Sequence, residues 1–200
     1  MERKIVYFEN AGSENTEAVL LIAKERADEL GIRTILVAST SGRTAARAVE
    51  VFEGKKVVAV GHPTGWRQPN VNSFTEENRQ KVESRGGKVL LVRFAFQRLG
   101  GSGPRLSAHE GVSQPVSQAP VSNDTAVIVN RTLRLFGAGM KVACEITIIA
   151  ADAGLARTDE DVIVISGTNG GSDTAVMLRP VNTWDFFRLR IKEILCKPKT

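Results

Sequence analysis

Six consecutive residues of this 200-residue chain, Ser39-Thr40-Ser41-Gly42-Arg43-Thr44, combine the groups that hold an anionic oxygen cluster. Four hydroxyls supply donors, Gly42 allows close backbone approach, and Arg43 offers a charged, forked donor. The turn follows the β-branched run Thr34 to Ala38 and precedes Ala45, Ala46, Val49 and Phe52, which recur at helical spacing. The first amides of such a helix lack intrahelical acceptors and carry partial positive charge, so a phosphate placed there gains hydrogen bonds and a favourable dipole. The competing use of Ser and Thr at this point is simple helix capping.

Other residues with chemical potential stand after other apolar runs. Asn10-Ala11-Gly12-Ser13 follows the run Lys4 to Phe8, and Asn10 and Gly12 can contribute amides or a second anion nest. Gly61 and His62 close the run Lys56 to Val60, and His62 is the best lone acid/base candidate, although it has no recognisable partner in sequence. Trp66, Phe94 and Phe96 fall on the same expected edge, where an aromatic ring can stack on a ligand. Glu145 and Asp152, seven apart on a mostly apolar helix, share a face and read as buried polar anchors. Two histidines and two dispersed cysteines make no metal-ligand pattern, and no residue set stands out as a catalytic machine.

These residues need elements to position them. Val19, Leu20, Ala23, Ala27 and Leu30 recur at helical spacing up to Gly31, and the alternation of apolar run and helix repeats through Gly54 and Gly86-Gly87 to a fourth run, Val89 to Phe94. Near-continuous apolar strands separated by helices predict an α/β fold with a doubly wound, mostly parallel sheet covered by helices on both faces. Residues 97–123 are rich in Gly, Ser, Pro and Gln and read as a long loop, either a lid or an insert. Two helices follow, one from Asp124 to Phe136 and one from Lys141 to Ala153. Val162 to Ser166 and Ala175 to Leu178 are joined too tightly for a parallel crossover, which predicts an antiparallel strand late in the chain. Thr183 is expected to cap a closing helix whose Phe187, Ile191, Ile194 and Leu195 face the core.

Val37 to Ala45, Val-Ala-Ser-Thr-Ser-Gly-Arg-Thr-Ala, resembles the phosphate loop in the C-terminal, effector-binding domain of pyruvate kinase. Lys56 to Val60 is similar to that domain's next strand, and Asp161 to Gly167 with Gly170-Gly171-Ser172-Asp173-Thr174 to its last strands and their connecting loop. The resemblance implies a stand-alone version of this regulatory domain, close to free-standing archaeal relatives, without pyruvate kinase catalysis. It implies a phosphorylated ligand held by Ser39 to Thr44 and closed over by Gly170, Gly171, Ser172 and Thr174, with FMN (flavin mononucleotide) ahead of a sugar phosphate. Thr168 stands where many pyruvate kinases place Trp, which argues against fructose bisphosphate. A flavin-dependent oxidoreductase is the alternative function.

Composition bounds the remainder. Apolar residues at 42% and charged residues at 24% are those of an ordinary globular chain, and a single domain over residues 1–200 is expected. The net charge of +5 is dispersed among acids without aromatic-interleaved basic motifs, so a phosphorylated small molecule is the expected partner in preference to nucleic acid, and a homo-oligomer is open. No apolar run spans a membrane and none has the form of a signal peptide, so a cytoplasmic, reducing compartment is expected.

Overall fold

The computed structural model describes residues 3–95, 125–168 and 170–199. Among the described residues seven strands form one sheet: β1 (Val6–Phe8), β2 (Thr34–Ala38), β3 (Lys56–Gly61), β4 (Lys88–Leu91), β5 (Val162–Ser166), β6 (Thr174–Arg179) and β7 (Arg190–Pro198). Their order across the sheet is β1-β7-β6-β5-β2-β3-β4. All neighbours are parallel except at β6, which runs antiparallel to both β5 and β7.

Alternate residues of the central strands feed two separate cores, as expected for a sheet buried on both sides. Ile35 and Val37, Val57 and Ala59, and Ile163 and Ile165 pack beneath helices α1 (Thr16–Glu29), α2 (Arg43–Val51) and α3 (Glu76–Ser84). Leu36, Val58, Val60, Val162 and Val164 face the opposite way, against Met140, Ala143, Ile146 and Ala150 of the long helix Ala138–Asp152. That helix is α5, and α4 (Thr125–Arg134) packs against it. The doubly wound α/β architecture read from the sequence is therefore present, with its late antiparallel strand in place.

One element differs from expectation. The closing helix predicted from Thr183 is a short 3-10 segment, Thr183–Arg188, followed by strand β7. Phe187 is 77% exposed and Ile191 41% exposed, while Leu195 is buried. The cause is sheet pairing. The outer edge of β6 offers unpaired backbone groups, and Arg190–Pro198 satisfies them on one side while accepting β1 on the other. Arg26 on α1 fastens the new strand by donating to Glu193 at 2.9 Å.

Candidate functional site

The carboxyl ends of β2, β3 and β5 open into a cleft of about 1140 Å³. The chain leaves β2 toward β3 on one side, while β5 pairs with β2 on the other, so connections diverge here as they do at the ligand crevices of open α/β sheets. Ser39, Thr40, Ser41, Arg43 and Thr44 line one wall, Gly61, His62 and Trp66 another, and Gly167, Thr168, Gly170 and Gly171 close a third.

At the first wall, helix α2 begins without a side-chain cap on its N-cap residue, Gly42. The Ala46 amide bonds the Gly42 carbonyl at 2.8 Å, and the Ala45 amide reaches Ser39 Oγ at 3.4 Å. Ser39 thus does part of the capping that the sequence allowed. The amides of Arg43 and Thr44 stand ahead of these and have no carbonyl one turn earlier in the helix to receive them. Arg43 Nε lies 3.4 Å from Ser41 Oγ, folding the guanidinium back over the turn. Gly42 itself is not on the wall. Its φ of 89° and the space where a Cβ would stand, 2.6 Å from both Asn78 Cβ and Phe74 Cε1, show that its small size serves packing against Phe74 and Asn78. Asn78 answers by donating from Nδ2 to the Ser41 carbonyl at 2.9 Å, which fixes the turn from behind.

His62 sits in a column of rings. Its imidazole stacks on Trp66 with centroids 4.2 Å apart and planes 5° from parallel, and on Phe94 at 4.5 Å and 25°. Lys141 Nζ continues the column 5.9 Å from the Phe94 centroid, within cation–π range. Burial, with Lys141 and Arg67 nearby, pushes the His62 pKa down to about 4. The imidazole is therefore neutral near pH 7, and its Nδ1 is buried without a hydrogen-bond partner. Trp66 and Phe94 are thus partly spent on His62, with Trp66 the half-buried end ring facing the cleft.

Several groups on the wall escape sequence reasoning. Lys141 is the chief one: its ammonium is buried against Glu145 Oε2 at 2.9 Å, with side-chain exposures of 6% and 0%. The i,i+4 spacing of Lys141 and Glu145 was the available signal. Arg67 and Arg134 also border the cleft, and Arg47 does so while paired to Glu17 and Glu50. Glu145 offsets Lys141, and Glu17 and Glu50 offset Arg47, while no carboxylate among the lining residues lies against Arg43, Arg67 or Arg134, so the field in the cleft favours anions.

Four other expected site residues stand off the wall. The Gly12 amide donates to Asp173 Oδ2 at 3.1 Å and is not free for an anion, and the Asn10 carbonyl accepts from Asn15 Nδ2 at 2.8 Å on the exposed surface. Ser172 and Thr174 are buried: the Ser172 amide donates to Thr16 Oγ1 at 2.9 Å, and Thr174 Oγ1 to Asp173 Oδ1 at 2.8 Å. Asp173 organises this corner, since it also accepts the Thr168 amide at 3.0 Å and so binds the early loop to the late one. Gly171 meets the same corner by close approach, a Cβ there lying 2.4 Å from Ser13 Cα.

Glu145 and Asp152 separate in role. Glu145 is the buried partner of Lys141, whereas Asp152 accepts from Asn182 Nδ2 and the Thr183 amide, both at 3.0 Å, on the surface at the far end of α5. Partial burial pulls the Asp152 carboxyl upward, and the hydrogen bonds from Thr183 and Asn182 outweigh it to leave the pKa below its ordinary value. Cys144 and Cys196 are buried free thiols pushed up to about 12 by desolvation, and they stay protonated at neutral pH. Phe96, His109, Asp124, Asn169 and the expected loop at 97–123 lie outside the described residues.

Comparison with solved structures matches a pyruvate kinase from Cryptosporidium parvum at 16% identity and a TM-score of 0.40, over 83% of this chain and 23% of that one. The chain thus spans under a quarter of the length of that protein. A model of the family described as pyruvate kinase, alpha/beta domain, matches residues 17–179, from the first turns of α1 to the end of β6. On that match the chain belongs to the pyruvate kinase alpha/beta domain family.

Proposed function

We propose that the cleft binds a phosphate-bearing small molecule, with the phosphate at the start of α2, and that the domain does so without pyruvate kinase catalysis. The carrying observation is the convergence of Thr40, Ser41, Arg43 and Thr44, with the uncapped first turn of α2, on one cation-rich wall. A phosphate there accepts from the Arg43 and Thr44 amides and from the hydroxyls, and Arg43 swings from Ser41 Oγ to the ligand. FMN is the first ligand to test. The half-buried Trp66 ring, at the end of a stacked column on the same cleft, supplies a surface for a planar group beside the phosphate.

His62 has no role as a proton carrier in this proposal. With its pKa near 4 and its ring clamped between two aromatics, it stiffens the wall.

Calorimetric titration of the purified protein with FMN, riboflavin and fructose 1,6-bisphosphate tests the proposal. FMN is expected to bind and riboflavin to bind much more weakly, because only the first presents a phosphate to α2. Arg43→Ala is expected to cost about 1.5 kcal/mol of affinity, the lower end for a charged hydrogen bond because Arg43 is exposed. Unchanged affinity in Arg43→Ala, or equal binding of riboflavin and FMN, would overturn the phosphate assignment.

A further inference from the structure

The sheet has a second opening at the end opposite the cleft. Arg33 stands just before β2 and Asp161 just before β5, and these two strands are parallel neighbours, so their amino ends lie side by side. With Arg26 and Leu30 at the end of α1, and with Met177 of β6 and Lys192 of β7, they surround a pocket of about 460 Å³, a size usual for small-molecule sites. Part of its lining is apolar. Leu30 is 42% exposed, and Ile32 and Met177 carry the apolar surface inward to the core beneath α1.

The charges around the pocket are unevenly matched. Asp161 accepts from Arg179 Nε at 2.5 Å and from Lys192 Nζ at 2.8 Å, and Glu160 lies 3.2 Å from Arg157 Nε. Arg26 is held by Glu193 and Glu29, and Glu29 by Arg3 as well. Each of these carboxylates has a cation. Arg33 is the exception among the lining charges, since its guanidinium makes no hydrogen bond or ion pair among the described residues. A free arginine on open surface is ordinary, but at the rim of a partly apolar pocket it is a forked donor whose acceptor comes from solution. We infer that this pocket is a second ligand site, taking a small molecule with one carboxylate and a short apolar body. The carboxylate meets the Arg33 fork, which matches its two oxygens, while the body covers Leu30, Ile32 and Met177. An amine finds Glu160 and Asp161 already engaged, and a multiply charged anion meets those two carboxylates on the same wall.

Titration of the full chain with isocaproate, isocaproamide and isoamylamine, followed by backbone amide chemical shifts, tests the assignment. Isocaproate is expected to shift the amides of Leu30, Ile32, Asp161 and Met177 saturably, isocaproamide to bind about tenfold more weakly, and isoamylamine not to bind there. Arg33→Gln should lose about the same factor, and Arg33→Lys should keep part of the affinity as a point charge without the fork. Leu30→Ser should weaken isocaproate and isocaproamide alike, because it removes apolar contact and leaves the carboxylate contact in place. Arg33 and Leu30 are exposed, so these variants should fold as the parent chain does. FMN titration is expected to be unchanged in Arg33→Gln, which separates this site from the phosphate reading of the cleft. Absence of a saturable shift, shifts confined to the cleft, equal binding of acid and amide, or parental affinity in Arg33→Gln would overturn the assignment.

Discussion

Gly42→Ala isolates the packing that fixes the start of α2, because Gly54, just past the end of the same helix, has a similar positive φ. Gly42 has φ 89° and Gly54 has φ 78°, so alanine at either site pays a similar left-handed strain, about 1 to 2 kcal/mol. The surroundings differ. A Cβ on Gly54 meets nothing within 4 Å, whereas a Cβ on Gly42 lies 2.6 Å from Phe74 Cε1 and from Asn78 Cβ. Phe74 is 3% exposed and has little room to retreat, and Asn78 moves only by loosening its 2.9 Å bond to the Ser41 carbonyl. Overpacking of this kind adds about 1 to 3 kcal/mol. Gly54→Ala is therefore expected to cost about 1 to 2 kcal/mol and Gly42→Ala about 2 to 5 kcal/mol, read as urea midpoints at unchanged slope. Gly42→Ala should also weaken phosphate-ester binding, since the displaced Asn78 no longer holds the turn, while Gly54→Ala leaves binding intact. Equal destabilisation by the two substitutions would show that Phe74 and Asn78 do not constrain the turn.

Two further perturbations probe the opposite wall. Lys141→Met removes the buried cation from beside Glu145 and should cost about 3 to 5 kcal/mol, whereas the double change Lys141→Met with Glu145→Leu should recover most of it, a contrast that denaturant titration of both variants measures. Because the folded His62 pKa is depressed to about 4, the unfolded chain takes up a proton first as the pH falls, so this residue contributes stability that is present above about 6.5 and lost between about 6.5 and 4. Thermal melts over that window should show a shallower acid decline in His62→Phe, and an identical decline would mean that His62 does not titrate as described.

The central strands are legible because both faces of β2, β3 and β5 are buried, which writes Ile35-Leu36-Val37 and Val162-Ile163-Val164-Ile165 as unbroken apolar runs. Helix ends are legible for a similar reason: Gly31, Gly54, Gly86 and Gly154 all take positive φ just past α1, α2, α3 and α5. The last element is ambiguous. Phe187, Ile191, Ile194 and Leu195 fit helical spacing, Ile191 and Ile194 break the strict alternation of a strand, and the pairing with β6 accommodates this by register shifts, so only the unpaired edge of β6, invisible in sequence, decides the outcome. The wall built by α2 is legible from its hydroxyl cluster. Lys141 is not, because a cation opening an apolar helix ordinarily points to water, and its burial depends on Glu145 and on a ring, Phe94, that arrives from another strand's end. Gly12, Ser172 and Thr174 mislead for the opposite reason. They have the chemistry of a ligand loop, but Asp173 takes the Gly12 amide and the Thr174 hydroxyl, Thr16 takes the Ser172 amide, and the Ser172 hydroxyl is buried without a partner among the described residues.

The pairing of β1 with β7 has a consequence for biosynthesis. Val6 lies opposite Cys196, so every other strand of the sheet lies in sequence between the two sides of that ladder. During translation Val6–Phe8 leaves the ribosome ahead of the other strands of this sheet, yet it has no template until Arg190–Pro198 emerges, and closing so long a loop is slow. The sheet therefore assembles its parallel centre first and seats β1 last, and an apolar segment stays available to chaperones until β7 has emerged.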